Sequence, residues 1–348
     1  MNLSLTDVYA AFSQVWPAFA LVAGLLLVGA TAAREGLFAE AGALAARTPG
    51  GGTALLASLM LLTAVVTAVL NLDTAVVFLT PVLLHAARHR GLEEAPFLYG
   101  AVFMTNAASL LLPGSNLTNL IVLAHDHVSG STFADHLWPA WVASVAVTIV
   151  FLVVVFHRQL HPRVPPVIER PPFRSRAGTV AVGAATVLVL VLGRPALPVL
   201  GLGVATALAG RLSLRAAVRA ANPLLLGGVL TVAVGLGTIA RAVSGLGSIA
   251  AHTGRWSTAW IGAGAAVLVD NLPAASVLSA HASDHPRALL LGLNLGPNLA
   301  VTGSLSAVLW LQVARAEGAK PSVVRYSLLG LALVPVSLTL ALLAASSF

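Results

Sequence analysis

The sequence predicts an all-α membrane protein built from two repeats of opposite orientation, each holding one re-entrant helical hairpin and one discontinuous helix. Three observations carry that expectation. The first is composition: of 348 residues, 58% are hydrophobic and 9% charged, with a mean hydropathy of +0.92, against about 25% charged residues in soluble domains. The second is a set of polar interruptions that recurs in each half of otherwise apolar sequence. The third is the distribution of Lys and Arg between loops.

Apolar stretches long enough to cross a hydrocarbon core of about 30 Å recur along the chain. A span is expected over 14–32, an apolar pair over 53–70 and 74–87, an interrupted span over 97–124 and a further span over 137–156. Residues 157–176 are basic and proline-rich and read as a linker between a first repeat, 1–156, and a second, 177–348. The second repeat holds spans over 177–193, 195–210 and 224–240, a broken pair over 256–283, an interrupted span over 288–314 and a last span over 326–345.

Each pair is broken by polar residues, at Asn71, Asp73 and Thr74 in the first half and at Asp270, Asn271 and Pro273 in the second. Arms this short, reversing at such a tip, read as hairpins that stop near mid-membrane. The interrupted spans carry Pro113, Gly114, Ser115, Asn116 and Thr118, and then Asn294, Pro297, Asn298, Thr302, Gly303 and Ser304. Proline and glycine free backbone groups that lipid does not hydrate, so such breaks belong where protein or a cavity receives them. Matched breaks in two halves point to a secondary transporter with its site at the repeat interface.

With the linker placed in the cytoplasm, fifteen of the nineteen Lys and Arg residues fall in loops on that side. Only Arg194, Arg241, Arg255 and Arg287 fall on the other. This is a strong positive-inside bias. Trp16, Trp138, Trp141, Trp256 and Trp260 are expected near the outer boundary, where an indole stays half wet. The net charge of +7 therefore reads as a topological signal, and no nucleic-acid partner is expected. Cysteine is absent, which excludes disulfides, thiolate metal sites and cysteine nucleophiles. Residues 1–12 hold no Lys or Arg, so the positive region of a cleavable signal is missing.

Among twelve acidic residues, Asp73 and Asp270 lie deep in apolar sequence, each at an expected hairpin tip. A carboxylate there needs a cation, a proton or the amides of a helix start. Capping of the following helix is one reading for each, and a site for coupling protons or sodium is the other. Asn106, Ser115, Asn116 and Thr118, with Asn294, Asn298, Thr302 and Ser304, offer neutral donors and acceptors beside them; the plainer role for such side chains is to join helices. An intramembrane hydrolase using both aspartates is a third class, but no His, Ser or metal-ligand cluster accompanies them.

The string from Asn71 to Pro81, Asn106 with Ser109, and Ser115 to Leu120 resemble the bacterial arsenite permease family. So do Asp270 to Ala274, Leu295 to Asn298 and Gly303 to Trp310. The resemblance covers about 14–345 and implies the inverted-repeat ion-transporter fold shared with dicarboxylate/sodium symporters and one class of sodium/proton antiporters. It implies that Asn71, Asp73, Thr74, Asn106, Ser115, Asn116, Thr118, Asp270, Asn271, Asn294, Asn298, Thr302, Gly303 and Ser304 hold substrate and ion, with sodium at Asp73 and Asp270 one assignment. It also implies proton-coupled export of a small oxyanion or hydroxylated metalloid, arsenite or antimonite first, with sodium/proton exchange and sodium-coupled carboxylate transport as the alternatives and H+ or Na+ as the coupling ion. No organic cofactor, a homodimer in the cell membrane, and a cytoplasmic ATPase subunit as a partner of some members are implied as well. The family's leading scaffold helices have no counterpart ahead of residue 14, whereas 177–210 supplies theirs in the second half. Asn298 stands where the family pattern leads one to expect a lysine.

Overall fold

The computed structural model describes residues 4–45, 47, 49–123, 129–161, 177–192, 194–242 and 252–345. The described residues are helical and without strands. In the first half, α1 (Leu5–Arg34), α2 (Leu37–Ala45), α3 (Gly52–Val69), α4 (Leu72–His89), α5 (Ala95–Ala108), α6 (Leu117–Val122) and α7 (Gly130–Phe156) follow one another. The second holds α8 (Ala177–Val191), α9 (Ala196–Ala209), α10 (Leu214–Ala221), α11 (Pro223–Ala242), α12 (Arg255–Val269), α13 (Asn271–Leu278), α14 (Pro286–Leu295), α15 (Leu305–Ala316) and α16 (Val323–Ala345). Among the described residues, five helical stretches are long and apolar enough to cross a membrane: 5–34, 52–69, 130–160, 214–242 and 323–345. Most of the linker, from 162 to 176, lies outside the described residues, as do His125 and His127.

Helix α1 begins earlier than hydropathy implies because Ser4 and Asp7 form a capping box: Asp7 N–H donates to Ser4 Oγ and Ser4 N–H to Asp7 Oδ2, both at 3.2 Å. Packing of α1 on α9 is close because Gly24 and Gly203 meet backbone to backbone; a Cβ at either would collide with the opposite helix. The arms of the first pair have 18 residues each, the second reaching beyond the expected 74–87, or about 27 Å apiece. Length alone therefore does not make this pair re-entrant. In the second pair α13 has 8 residues, about 12 Å, too short to cross.

The contacts of the two halves correspond. In the first, α5 packs on α3, α4 and α7; in the second, α14 packs on α12, α13 and α16. Across the halves, α4 packs against α15 and α13 against α6, so each pair's second arm lies on the helix that follows the other half's break. Helices α7 and α16 pack together, as do α1 and α11.

An aromatic cluster holds one side of this assembly. Tyr99, Phe103, Trp310 and Tyr326 stack with centroids 4.9 to 6.3 Å apart, and Trp310 Nε1 donates to Leu98 O at 2.8 Å. At Gly330, α16 runs directly over the carbonyl of Asn298, leaving no room for a Cβ. Gly330→Ala is expected to lower stability by about 1–3 kcal/mol through overpacking against rigid backbone, read as an earlier thermal transition in detergent. An unchanged transition would show that α16 does not seat on the break.

Candidate functional site

Four helices restart after a break, and each begins on a polar side chain of the motifs. Asn71 Oδ1 accepts the Thr74 N–H at 2.6 Å at the head of α4. Asn116 Oδ1 accepts the Thr118 N–H at 3.1 Å at α6. Asp270 Oδ1 accepts the Leu272 N–H at 3.0 Å at α13, and Ser304 Oγ accepts the Ala307 N–H at 3.3 Å at α15. These residues are there because each chain restart exposes N–H groups that lipid does not satisfy.

The two aspartates then part company. Asp270 is a cap; Asp73 is not, because Asn71 fills that role two residues earlier. Asp73 is 5% exposed, and among the described residues its carboxylate has no hydrogen-bond partner. Asp270 is half-buried. Asp270 also sits at φ 76°, ψ 148°, a region that side chains other than glycine's adopt at a cost of about 1–3 kcal/mol. Asp270→Gly is expected to relieve that strain while losing a cap worth a few tenths of a kcal/mol relative to Gly. Its thermal transition should rise while transport falls. A lower transition would mean that the carboxylate, rather than the backbone, dominates stability at this tip.

The interrupted helices meet through asparagines. Asn294 Oδ1 accepts from Ser109 Oγ at 2.6 Å and Asn116 Nδ2 at 2.7 Å, and Asn294 Nδ2 donates to Asn119 Oδ1 at 2.9 Å. Asn106 Nδ2 donates to Asn298 Oδ1 at 2.8 Å, and Asn298 Nδ2 donates to Phe103 O at 3.3 Å. Ser306 Oγ closes on Asn106 Oδ1 at 3.4 Å and on Ser304 Oγ at 2.8 Å. All of these side chains are buried. The carbonyls freed by the breaks are also received: Ser144 Oγ and Trp141 Nε1 donate to Ala107 O and Ala108 O at 2.8 and 3.0 Å, and Tyr326 Oη donates to Pro297 O at 2.9 Å. Trp141, expected at the outer boundary, is thus turned onto the first break, whereas Trp138, Trp256 and Trp260 are exposed.

Among the described residues, several buried polar atoms have no hydrogen-bond partner: Asn71 Nδ2, Thr74 Oγ1 and Thr118 Oγ1 belong to the predicted set. An amide donor and two hydroxyls left unpaired in a buried site are costly unless a ligand engages them. Asn271 is buried in the first turn of α13, and Ser115 Oγ folds back onto Ser109 O and Leu112 O. Thr302 stands apart: it is exposed and bonds Val267 O at 3.0 Å, while the buried Gly303 packs on Pro297.

Sequence reasoning passed over Gln14. Its Nε2 donates to Ile121 O and Ser279 Oγ, both at 3.0 Å, and its Oε1 accepts from Arg241 Nη2. One buried amide thereby ties α1 and α11 to the far ends of α6 and α13; an amide within an apolar span was the available signal. A crevice of about 580 Å³, lined by Gln14, Trp16, Leu21, Pro113, Val189 and Arg194 among others, reaches the first break at Pro113. Neither aspartate lines it.

Helices that cross a membrane, breaks capped from within and a buried polar core at the meeting of two halves define a multi-pass membrane transporter. Comparison with known proteins narrows this. The chain belongs to the citrate transporter family (CitMHS), whose model matches residues 2–296. It is 25% identical over 345 residues to an arsenical pump membrane protein of Escherichia coli, covering 88% of this chain and 80% of that one. A 158-residue stretch is 28% identical to the silicon efflux transporter LSI3 of Oryza sativa subsp. japonica, covering 45% of this chain and 32% of the relative. The crystal structure of the Alcanivorax borkumensis YdaH transporter shares the fold with a TM-score of 0.59 at 14% identity, covering 98% of this chain and 87% of that one.

Proposed function

We propose that this chain exports a small hydroxylated metalloid, arsenite or antimonite, in exchange for protons, by alternating access about the two breaks. The observation that carries the reading is the chemistry of the buried polar set. Asp73 is its one ionisable carboxylate among the described residues, and the set holds no Lys or Arg. Citrate, the substrate in the family's description, is a multiply charged anion that strong cationic donors would favour. Amides and hydroxyls suit instead a neutral species carrying O–H groups, which arsenite largely is in neutral water. The arsenical pump and silicon efflux relatives support the same choice, since both elements form small, mostly uncharged hydroxides.

In this reading Asn71, Thr74 and Thr118 take the substrate's oxygens, and Asp73 exchanges the proton that drives export. The reciprocal packing of α4 on α15 and of α13 on α6 supports halves of opposite orientation that enclose one site. The test is uptake into everted vesicles. An acid-loaded lumen is expected to drive arsenite inward, and a protonophore to stop it. Uptake indifferent to the proton gradient would overturn the coupling, and uptake of citrate in preference to arsenite would overturn the substrate.

A second reading, sodium/proton exchange, is favoured by one observation, a carboxylate at each of two helix restarts: Asp73 in the first turn of α4 and Asp270 at the cap of α13. Sodium-dependent collapse of an imposed pH gradient, with arsenite without effect, would establish it.

A further inference from the structure

Helix α10, Leu214–Ala221, has no buried residue. It is set between α9 and α11 by two residues of positive φ, Arg211 at 51° and Asn222 at 41°. Ser213 caps it, accepting the Ala216 N–H at 3.3 Å. The sequence divides the helix along its length. Leu214 and Val218, four apart, form one strip, and Arg215 and Arg219, also four apart, form the next strip about 100° round. Both strips are exposed, whereas Ala216, Ala217 and Ala220 are half-buried.

The apolar strip is continuous with the lipid-facing surface of the neighbouring spans. Leu214 is 79% exposed and Val218 49%; Leu208, near the end of α9, is 73% exposed, and Leu224, at the start of α11, 88%. The cationic strip is extended by Arg211 and Arg34, both exposed, which are held together because Arg34 Nη1 donates to Arg211 O at 2.7 Å. Among the described residues none of these four arginines has an acidic partner. The adjacent Glu35 is already engaged, accepting the N–H groups of Gly178 and Thr179 at 3.1 and 3.3 Å at the head of α8.

We infer that α10, with the guanidinium groups of Arg34, Arg211, Arg215 and Arg219, forms a docking surface for anionic phospholipid headgroups at the bilayer surface. A soluble protein partner would leave the leucine and valine strip at odds with its position beside two lipid-facing helix ends. A bilayer satisfies both strips at once: Leu214 and Val218 enter the acyl boundary while the arginines reach sideways to the phosphates. Anionic lipid supplies the charge that the protein lacks here. The inference is independent of what the chain transports.

The chain has no cysteine, so Val218→Cys carries a single nitroxide label on the full-length protein. In vesicles of phosphatidylcholine mixed with phosphatidylglycerol, the label is expected to be accessible to oxygen and shielded from a water-soluble nickel chelate. Accessibility to the chelate would overturn the inference, and so would shielding from both, which would mean that protein covers the helix. The second measurement is phosphatidylglycerol retained through purification. Arg215→Gln/Arg219→Gln is expected to retain about fivefold less or lower still, while Arg215→Lys/Arg219→Lys keeps the wild-type amount. Equal retention by the Gln variant and the wild type would overturn the inference, and so would loss of lipid in the Lys variant.

Discussion

Asp73→Asn is expected to insert and fold as the wild type does and to lose proton-driven metalloid uptake, with an initial rate in acid-loaded everted vesicles lower by about tenfold or more. The expectation rests on what the side chain does not do. Helix α4 is capped by Asn71, so the Asp73 carboxylate has no hydrogen-bond partner among the described residues and is not needed as a cap. Removing a charge from lipid-embedded protein removes a cost, so stability should hold or rise while transport falls. A merely structural aspartate would show the reverse pattern. Asp270→Asn is the matched control, because asparagine caps helices well and leaves the backbone strain at this position as it is. It removes the second charge and keeps the turn. If Asp73→Asn transported as well as the wild type, proton coupling through this residue would be excluded.

The largest stability effect is expected at Asn294. Its side chain makes four hydrogen bonds, to Ser109, Asn116, Asn119 and the carbonyl of Leu290, and three of these cross from the second half to the first. Interhelical hydrogen bonds within membranes average about 0.6 kcal/mol, whereas an orphaned buried group costs about 1–3 kcal/mol. The second figure governs here, because alanine takes away a partner of Asn116 and Asn119, both buried. Asn294→Ala should therefore destabilise by about 2–5 kcal/mol, measured by denaturant unfolding in micelles. A change within about 0.5 kcal/mol would show that the junction of the two halves does not depend on Asn294.

How much of this was legible in the sequence follows from the cost of polar groups in lipid. Asn71, Asp73, Asn116, Asp270 and Ser304 stood out because each interrupts an apolar run, and all five lie at helix restarts. Length was less legible. Helix α4 runs over Leu72–His89, beyond the expected 74–87, because Asn71 caps it two residues earlier and its last turn, Arg88 and His89, reads as loop. Helix α2 was invisible because Glu40 and the flanking Arg34, Glu35 and Arg47 make 34–47 read as a polar connection. Helix α10 was missed for the same reason: its arginines belong to one face, and hydropathy averages the faces together. The pairing of the asparagines could not be read at all. Asn106 meets Asn298 across 192 residues and Asn294 meets Asn119 across 175, and no local spacing encodes a contact of that range. Nor did the sequence separate the two aspartates, since choosing between Asn71 and Asp73 as the cap of α4 turns on a difference of two residues in helix onset.

The account depends most on the two breaks meeting inside the membrane. Asn106→Cys/Asn298→Cys places the only two thiols of the chain at positions whose side chains are 2.8 Å apart. With a protease site introduced between 162 and 176, mercuric ion applied to intact membranes is expected to keep the two halves joined after cleavage, and each single-cysteine variant to let them separate. Halves that separate in the double variant despite the metal would contradict the shared junction from which the proposed transport mechanism is derived.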